Sequence, residues 1–545
     1  MVLQHQYFAA RRPAGTANPV TLLKDGVHHT QRLPDGTERK VIACGLACSE
    51  CFSGRNLAKI LQPGFDYEAQ VMKCLSEGLP APPLSIHTSS GVPAALDDFV
   101  AALQTHLPWK KKEELDWCVS LQMEGASAVY AAIDMVLQVN LLQEGSDKRR
   151  LKVAVGATSY HGPPSTSPGA KTPLWSKGHQ VIYPVPTAYG SYDEDELSSK
   201  YKSFLDQHAH EIGVMLIEPQ WGSSQAALPW PKHLLKQYVS MAKERGIKIV
   251  CDEIMCGLGR HGKGCLFISQ AWDLDPDAVT FGKAIATGVF PLSGAILKTG
   301  RDILQASKCS VMQSHTYAGS STRALMAATS VLKEFVAYLP NVTHLGEEMA
   351  SIMSYLTKVS QGLFTCHGQG LMWGGIITHQ GQCRDVAFRN KVVQVFKKYC
   401  NENCIIPYHV PVGGFMVSPV IDICVGTVYE IGERLEKVIT STMEEVGWSM
   451  VDADTASESS DSSLHIRAPS IASASILDLA KMANLAEAQA QGGLSLEQDL
   501  GLDKCVPHMR FSKTNGSSTS CSTTRCCAGC NKLVRTDVRT KFLYQ

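Results

Sequence analysis

The chain reads as an α/β protein: a large domain on a mostly parallel sheet, followed by a smaller α+β domain. Three observations predict this. From about residue 96, short apolar runs alternate with stretches of helical spacing. One of those runs, Gly246-Ile247-Lys248-Ile249-Val250-Cys251-Asp252-Glu253, ends in two acids. Another, Ala278-Val279-Thr280-Phe281-Gly282-Lys283, ends in a lysine. Strands buried on both faces are nearly continuous in apolar residues, and in open α/β sheets ligands gather at their carboxyl ends.

Taken in order, residues 1–95 show few regular patterns and many turn signals, such as Pro34-Asp35-Gly36 and Pro80-Ala81-Pro82-Pro83, and are expected to join the small domain. Residues 96–335 form the expected large domain. Its first strand is Trp117-Cys118-Val119-Ser120-Leu121, followed by a helix marked by Val129, Ile133, Val136 and Leu137. Lys152–Val155 and Val214–Ile217 are further strands, the latter followed by Glu218-Pro219. A helix carries Leu234, Leu235, Tyr238 and Ala242 on one face, with Gly246 as its stop. The strands ending at Asp252 and Lys283 come next, then Leu292–Leu297. Residues 336–450 form the expected small domain, with strands around Leu371–Ile376 and Gly414–Val417. Residues 451–545 turn Asp/Ser-rich and then Ser/Thr/Cys-rich, and are expected to be a disordered tail with one short helix after Ser475. Residues 504–545 carry eight lysines and arginines against one acid, the composition of an interaction arm for a partner left unidentified.

Composition narrows the function classes. Lysine plus arginine equals aspartate plus glutamate at 51 each, which gives no argument for nucleic-acid or membrane binding. No run reaches the roughly 18 apolar residues of a membrane-spanning helix. Nineteen cysteines in 545 residues without a secretory signal suggest reduced thiols. The expected location is the cytoplasm, with the mitochondrion as the alternative, because Arg11, Arg12 and Lys24 precede the first acid, Asp25.

The two ionisable strand ends carry the chemistry. A lysine ammonium at the end of a buried strand is costly to desolvate unless paired or neutralised, and a lysine held that way is suited to a Schiff base. A carboxylate at the neighbouring strand end, placed against a pyridine nitrogen, would keep that ring protonated and electron-accepting. Between them lies a loop containing Gly257, Gly259, Gly262 and Gly264.

With these residues in place, roughly residues 100–450 resemble the class-III aminotransferases, fold-type-I enzymes that use pyridoxal phosphate. The likeness rests on an ordered series: Ile217-Glu218-Pro219, Cys251-Asp252-Glu253-Ile254, Gly257-Leu258-Gly259-Arg260-His261-Gly262, and Pro276 through Lys283. The resemblance implies that Lys283 binds the cofactor and shuttles the proton, and that Asp252 faces the pyridine nitrogen. It implies that Tyr160, in Ser159-Tyr160-His161-Gly162, stacks on the ring, and that Gly125-Ala126 cradles the phosphate at a helix start. Thr316 matches the threonine that reaches the phosphate of the neighbouring subunit, which implies a homodimer. The substrate would be a small amine or amino acid with a keto-acid or aldehyde acceptor. No metal site is expected.

Two departures stand out. The phosphate turn, usually Ser-Gly-Ser/Thr-Glu-Ala, is here Glu124-Gly125-Ala126-Ser127-Ala128. In Gly414-Phe415-Met416-Val417-Ser418-Pro419, Met416 stands where an arginine often pairs with the substrate carboxylate. The alternatives are another reaction of the same cofactor (decarboxylation, racemisation or an amine shift) and a non-catalytic binding or regulatory module. An iron–sulfur site at Cys44, Cys48 and Cys51, or a metal at Cys521, Cys526, Cys527 and Cys530, is the remaining rival.

Overall fold

A computed structural model of the chain describes residues 19–45, 50–84, 93–110, 116–144, 150–162, 178–298, 321–379, 381–410 and 413–448. Thr316, Cys48 and the whole segment 451–545 lie outside the described residues.

The amino-terminal part is more regular than its sequence suggests. Strands β1 (Val20–Asp25), β2 (His28–Arg32) and β3 (Glu38–Ile42) form an antiparallel meander. The Pro34-Asp35-Gly36 signal makes the β2–β3 turn, with Gly36 N bonded to Leu33 O. Helix α1 (Gly54–Ser76) follows, an element not evident from the sequence. Only Ile60, Gly64 and Val71 of its residues are buried, and Pro63 stands inside it. Helix α2 (Ala94–Gln104) then leads into the central sheet.

That sheet contains β4 (Cys118–Gln122), β5 (Lys152–Gly156), β6 (Gln180–Tyr183), β7 (Ile212–Ile217), β8 (Lys248–Asp252), β9 (Ala278–Phe281) and β10 (Ser293–Leu297). Its order is β4-β10-β9-β8-β7-β5-β6. Only β10 runs against its neighbours; the other six strands share one direction and one carboxyl edge. The expected mostly parallel sheet is therefore present, with β10 as the antiparallel member and β6 as a strand the sequence does not announce.

Helix α3 (Gly125–Glu144) covers one face, where Val129, Ala132 and Val136 meet Val214, Val250 and Ala278. On the other face, α4 (Glu194–His208) and α5 (Lys232–Glu244) bring Tyr201, Leu205 and Tyr238 against Met215, Ile249 and Cys251. Every residue of β7 and β9 is buried, which is why these strands are legible as unbroken apolar runs. A short helix, α6 (Ile268–Trp272), completes this part.

Helix α7 (Thr322–Val359) is 38 residues long and passes straight through position 335/336. Beyond it, β11 (Phe364–Gln369), β12 (Met372–Ile377), α8 (Val386–Glu402), β13 (Tyr408–Val410), β14 (Gly414–Val417) and α9 (Val425–Val446) form an antiparallel sheet of order β11-β12-β14-β13 with its helices. The amino-terminal segment closes onto this part: Ile406 N donates to Ile42 O, Ser418 N to Cys44 O and Ile421 N to Cys51 O, each at 2.7–2.8 Å. Among the described residues no helix is long and apolar enough to cross a membrane.

Candidate active site

All six strands that share a direction deliver their following residues to one edge of the sheet. Asp252 is the last residue of β8, and Lys283 follows β9 by one glycine. Glu218 follows β7, Tyr160 and His161 follow β5, and Gly125 opens α3 just past β4. Six residues from the ends of five strands are gathered there by strand polarity alone.

Asp252 is the most fully organised group. His161 Nδ1 lies 2.7 Å from its Oδ2, with both side chains buried. Oδ1 accepts from Ile254 N at 3.1 Å and from Thr280 Oγ1 at 3.2 Å. Burial pushes the Asp252 carboxyl up, but the hydrogen bond and charge of His161, the Ile254 amide and the nearby Lys283 ammonium outweigh it and hold the group below its ordinary value. The anion is thus retained in a dry place. His161 responds in the opposite sense: burial lowers it, while Asp252 and Glu218 together raise it above the ordinary histidine value. Its Nε2 is buried and has no hydrogen-bond partner among the described residues.

Lys283 is solvent-accessible and sits at φ +41°, inside the left-handed region that a lysine rarely adopts. It opens a one-turn 3-10 segment, Lys283–Ala286, and Thr287 after it is left-handed too at φ +50°. The strand is therefore bent abruptly at the lysine. Tyr160 is 49% exposed, so its ring has a free face, while its backbone N–H donates to Glu218 Oε1 at 3.1 Å. Glu218 Oε2 accepts from Gly222 N at 3.3 Å. Burial drives the Glu218 carboxyl up to about 7, with the negative charge of Asp252 adding to the effect and His161 opposing it. Glu218 ends the strand and organises the loop, as its place before Pro219 suggests.

Gly125 and Gly282 approach one side chain from two directions. A Cβ on Gly125 would stand 2.8 Å from Ile254 Cδ1, and one on Gly282 would stand 3.3 Å from Ile254 Cγ2. A Cβ at Gly125 would have to push the Ile254 side chain aside, and α3 begins at the same edge as Asp252 and Lys283. Ala126 is buried behind Gly125.

Lys283, Asp252, Tyr160, Gly125 and Ala126 are accordingly brought to one edge; Thr316 lies outside the described residues. In the sequence, His161 stands out only as the neighbour of Tyr160. The signal that could have found it is a histidine in a strand-end loop of a sheet whose next-but-one strand ends in an acid. Met416 is fully buried on β14, opposite Gly374 and Tyr408. Arg260 is also buried, its guanidinium donating to Glu50 O and Pro419 O, so it ties the glycine-rich loop to the amino-terminal segment.

Of the cysteine candidates, Cys44 and Cys51 lie among the described residues, while Cys48, Cys521, Cys526, Cys527 and Cys530 lie outside them. Cys44 is buried with its thiol on Ile406 O, and Cys51 is buried with its thiol on Ala284 O. Among the described residues no group of three or more His, Cys, Asp or Glu side chains is arranged to hold a metal.

Comparison with known proteins points the same way. The family model described as aminotransferase class-III matches residues 86–404. The chain is 26% identical over 250 residues to the alanine/serine racemase of Pyrococcus horikoshii, covering 44% of this chain and 51% of that protein. It is 29% identical over 197 residues to the 4-aminobutyrate aminotransferase GabT of Escherichia coli K12, covering 36% and 44%. The chain thus spans about half the length of the curated relatives it matches. In structure it is similar to the omega transaminase of Pseudomonas jessenii, crystallised in complex with PMP. The TM-score is 0.64 at 17% identity, over 79% of this chain and 94% of that one. At that identity the likeness speaks to the fold, which is fold type I.

Proposed function

The chain belongs to the class-III aminotransferase family, and from that premise we propose that it is a pyridoxal-phosphate-dependent aminotransferase. It would move an amino group between an amine or amino-acid donor and a keto-acid or aldehyde acceptor. The observation that carries this reading is the buried His161–Asp252 pair with Lys283 in electrostatic reach at the adjacent strand end.

The residues fit the cofactor. Lys283 offers an accessible amine, Asp252 a buried anion, Tyr160 a half-exposed side chain, and Gly125 with Ala126 the amino end of a 20-residue helix. When bound, pyridoxal phosphate supplies an electron sink for the bond pair released at a substrate carbon. Each protein group then has a role its environment supports. Lys283 would hold the cofactor through its amine and, once freed, would move a proton to and from the substrate carbon. Asp252, kept ionised by His161, would hold a proton on the pyridine nitrogen. His161 is a positioning residue, fixing the carboxylate through Nδ1. Tyr160 shields one side of the site from water, and its loop is held by Glu218.

A second reading on the same scaffold, racemisation, is favoured by the likeness to the archaeal racemase. The groups named here serve both reactions, because each begins with removal of the same proton. The proposal includes a cytoplasmic homodimer. Met123, Tyr130 and Val289, all large and apolar, are 41–46% exposed on or beside the site-bearing edge, where a second copy would cover them. Thr316 is proposed to reach the phosphate held by that second copy, and residues 451–545 to bind a separate partner.

The test is covalent trapping. Protein loaded with pyridoxal phosphate and reduced with borohydride should carry the added mass on Lys283 by peptide mass spectrometry, and Lys283→Ala should carry none. An adduct on another lysine, or none on loaded protein, would refute the assignment. A panel of amine donors read by loss of the cofactor's near-visible absorbance then separates transamination from racemisation, since only the former leaves the amino group on the cofactor.

A further inference from the structure

The turn that carries Lys283 is held in a shape its residues disfavour. Lys283 and Thr287 have φ of +41° and +50°, a conformation costly for any residue but glycine and most of all for a β-branched one. From within the turn, Ile285 N donates to Gly282 O at 3.2 Å, Thr287 N to Ala284 O at 3.1 Å and Val289 N to Ala286 O at 2.9 Å. A further donor comes from a residue 233 positions away: Cys51 Sγ donates to Ala284 O at 3.0 Å, and both residues are buried. One carbonyl, in the residue after Lys283, thus takes two donors and uses both of its lone pairs.

Cys51 is itself fixed in place. Its carbonyl accepts from Ile421 N at 2.8 Å, and the carbonyl of Glu50 before it accepts from the Arg260 guanidinium at 3.0 Å. The ring of Phe52 after it packs edge-on against Phe335 and Tyr338 of α7, with centroids 5.6 and 5.2 Å apart. The thiol therefore arrives on a stretch of chain anchored to the glycine-rich loop, to the segment after β14 and to the long helix. It does not follow the turn if the turn moves away.

Resting on the cofactor reading above, we propose that Cys51 is a positioning residue for Lys283: its thiol holds the strained turn in the shape that presents the amine to the cofactor. It acts through the Ala284 carbonyl and not on the reacting atoms. Without it the turn relaxes toward ordinary φ in the unloaded chain, and loading must bend it back. That penalty falls on a ligand that bonds to Lys283, and spares one that occupies the same place without doing so. A cysteine that only filled space beside the turn would affect both ligands alike, in step with stability.

Equilibrium titrations of the full chain test this with two ligands. Pyridoxal phosphate has an aldehyde that condenses with an amine and releases water; pyridoxamine phosphate has none. The proteins are the native chain, Cys51→Ala and Cys51→Ser, each with its thermal midpoint. Serine keeps a donor and alanine does not, while both remove the same sulfur from the core. Cys51→Ala should bind pyridoxal phosphate roughly 5- to 10-fold more weakly, which is ~1–1.4 kcal/mol and the worth of one buried hydrogen bond. Its affinity for pyridoxamine phosphate should be unchanged. Cys51→Ser should recover most of the loss. An equal loss for both ligands, a serine variant no better than alanine, or no loss in either variant would overturn the proposal. In each of those cases a borohydride-trapped adduct on Lys283 of the native chain would leave the cofactor reading intact. A native chain that bound neither ligand would end both.

Discussion

At the scale of residues, the site is a set of buried charges kept in order by one another. Asp252 stays ionised because His161 donates to it, and His161 is raised because two acids surround it. Removing the charge but keeping the shape, Asp252→Asn, should lower turnover by about 10²–10³-fold, the range for losing one preorganised electrostatic contact. Cofactor loading and thermal midpoint should change little by comparison, as steady-state kinetics beside a melting curve would show. Glu218 makes a prediction about pH. Its folded value, about 7, lies above the ordinary 4.5, so the folded state binds a proton that the unfolded chain has released. Its contribution to stability is full below about pH 4.5 and lost as pH rises through about 7. Glu218→Gln should therefore lessen the drop in melting temperature between pH 5 and pH 8, and an undiminished drop would disprove the assignment. Lys283, Asp252 and Glu218 are legible because each closes or follows an apolar run that announces a strand end, and Tyr160 through the family resemblance. His161 is not, since its importance comes from burial and from a hydrogen bond to a residue on another strand.

At the scale of elements, legibility tracks how completely each element is buried. Strands β7, β8 and β9 are plain in the sequence because almost nothing polar interrupts them. Strand β6 has only Tyr183 buried among its four residues and so shows no apolar run, while α1 is amphipathic but carries Pro63 inside it, a residue that reads as a helix breaker. Contacts between elements are wholly silent. The loop after Glu218 is the clearest case: Ala226 and Ala227 both have positive φ, at 46° and 66°, in a turn where Gln220 Nε2 donates to Ala227 O and to Met372 O. Strand β12 lies so near that a Cβ on Gly374 would fall 2.0 Å from Ala226 O. Gly374→Ala must displace backbone rather than a flexible side chain. It should cost about 2 kcal/mol of stability, in the range for overpacking, measured by denaturant unfolding. Because that loop begins just after Glu218, the same variant should weaken cofactor loading as well.

At the scale of the whole molecule, the site is open on the side where Met123, Tyr130 and Val289 are exposed. A second copy covering that side would explain why such side chains face solvent in one chain. Val289→Asp should then move the protein from dimer to monomer in sedimentation velocity and reduce activity in step with dissociation. A monomeric native protein would remove that explanation. Helix α7 has a separate consequence. Thirty-eight residues at 1.5 Å each make a beam roughly 57 Å long, rooted beside the bent lysine turn at one end and under the β11–β12 hairpin at the other. Severing the chain at 335 would not divide a pair of modules at a seam. It would snap this girder mid-span, and Val342, Leu345, Met349 and Ile352, now out of water, would be left bare on the stump. Pro340 stands in that same span and takes one rung from its hydrogen bonding, so any bend between the halves falls there rather than at 335.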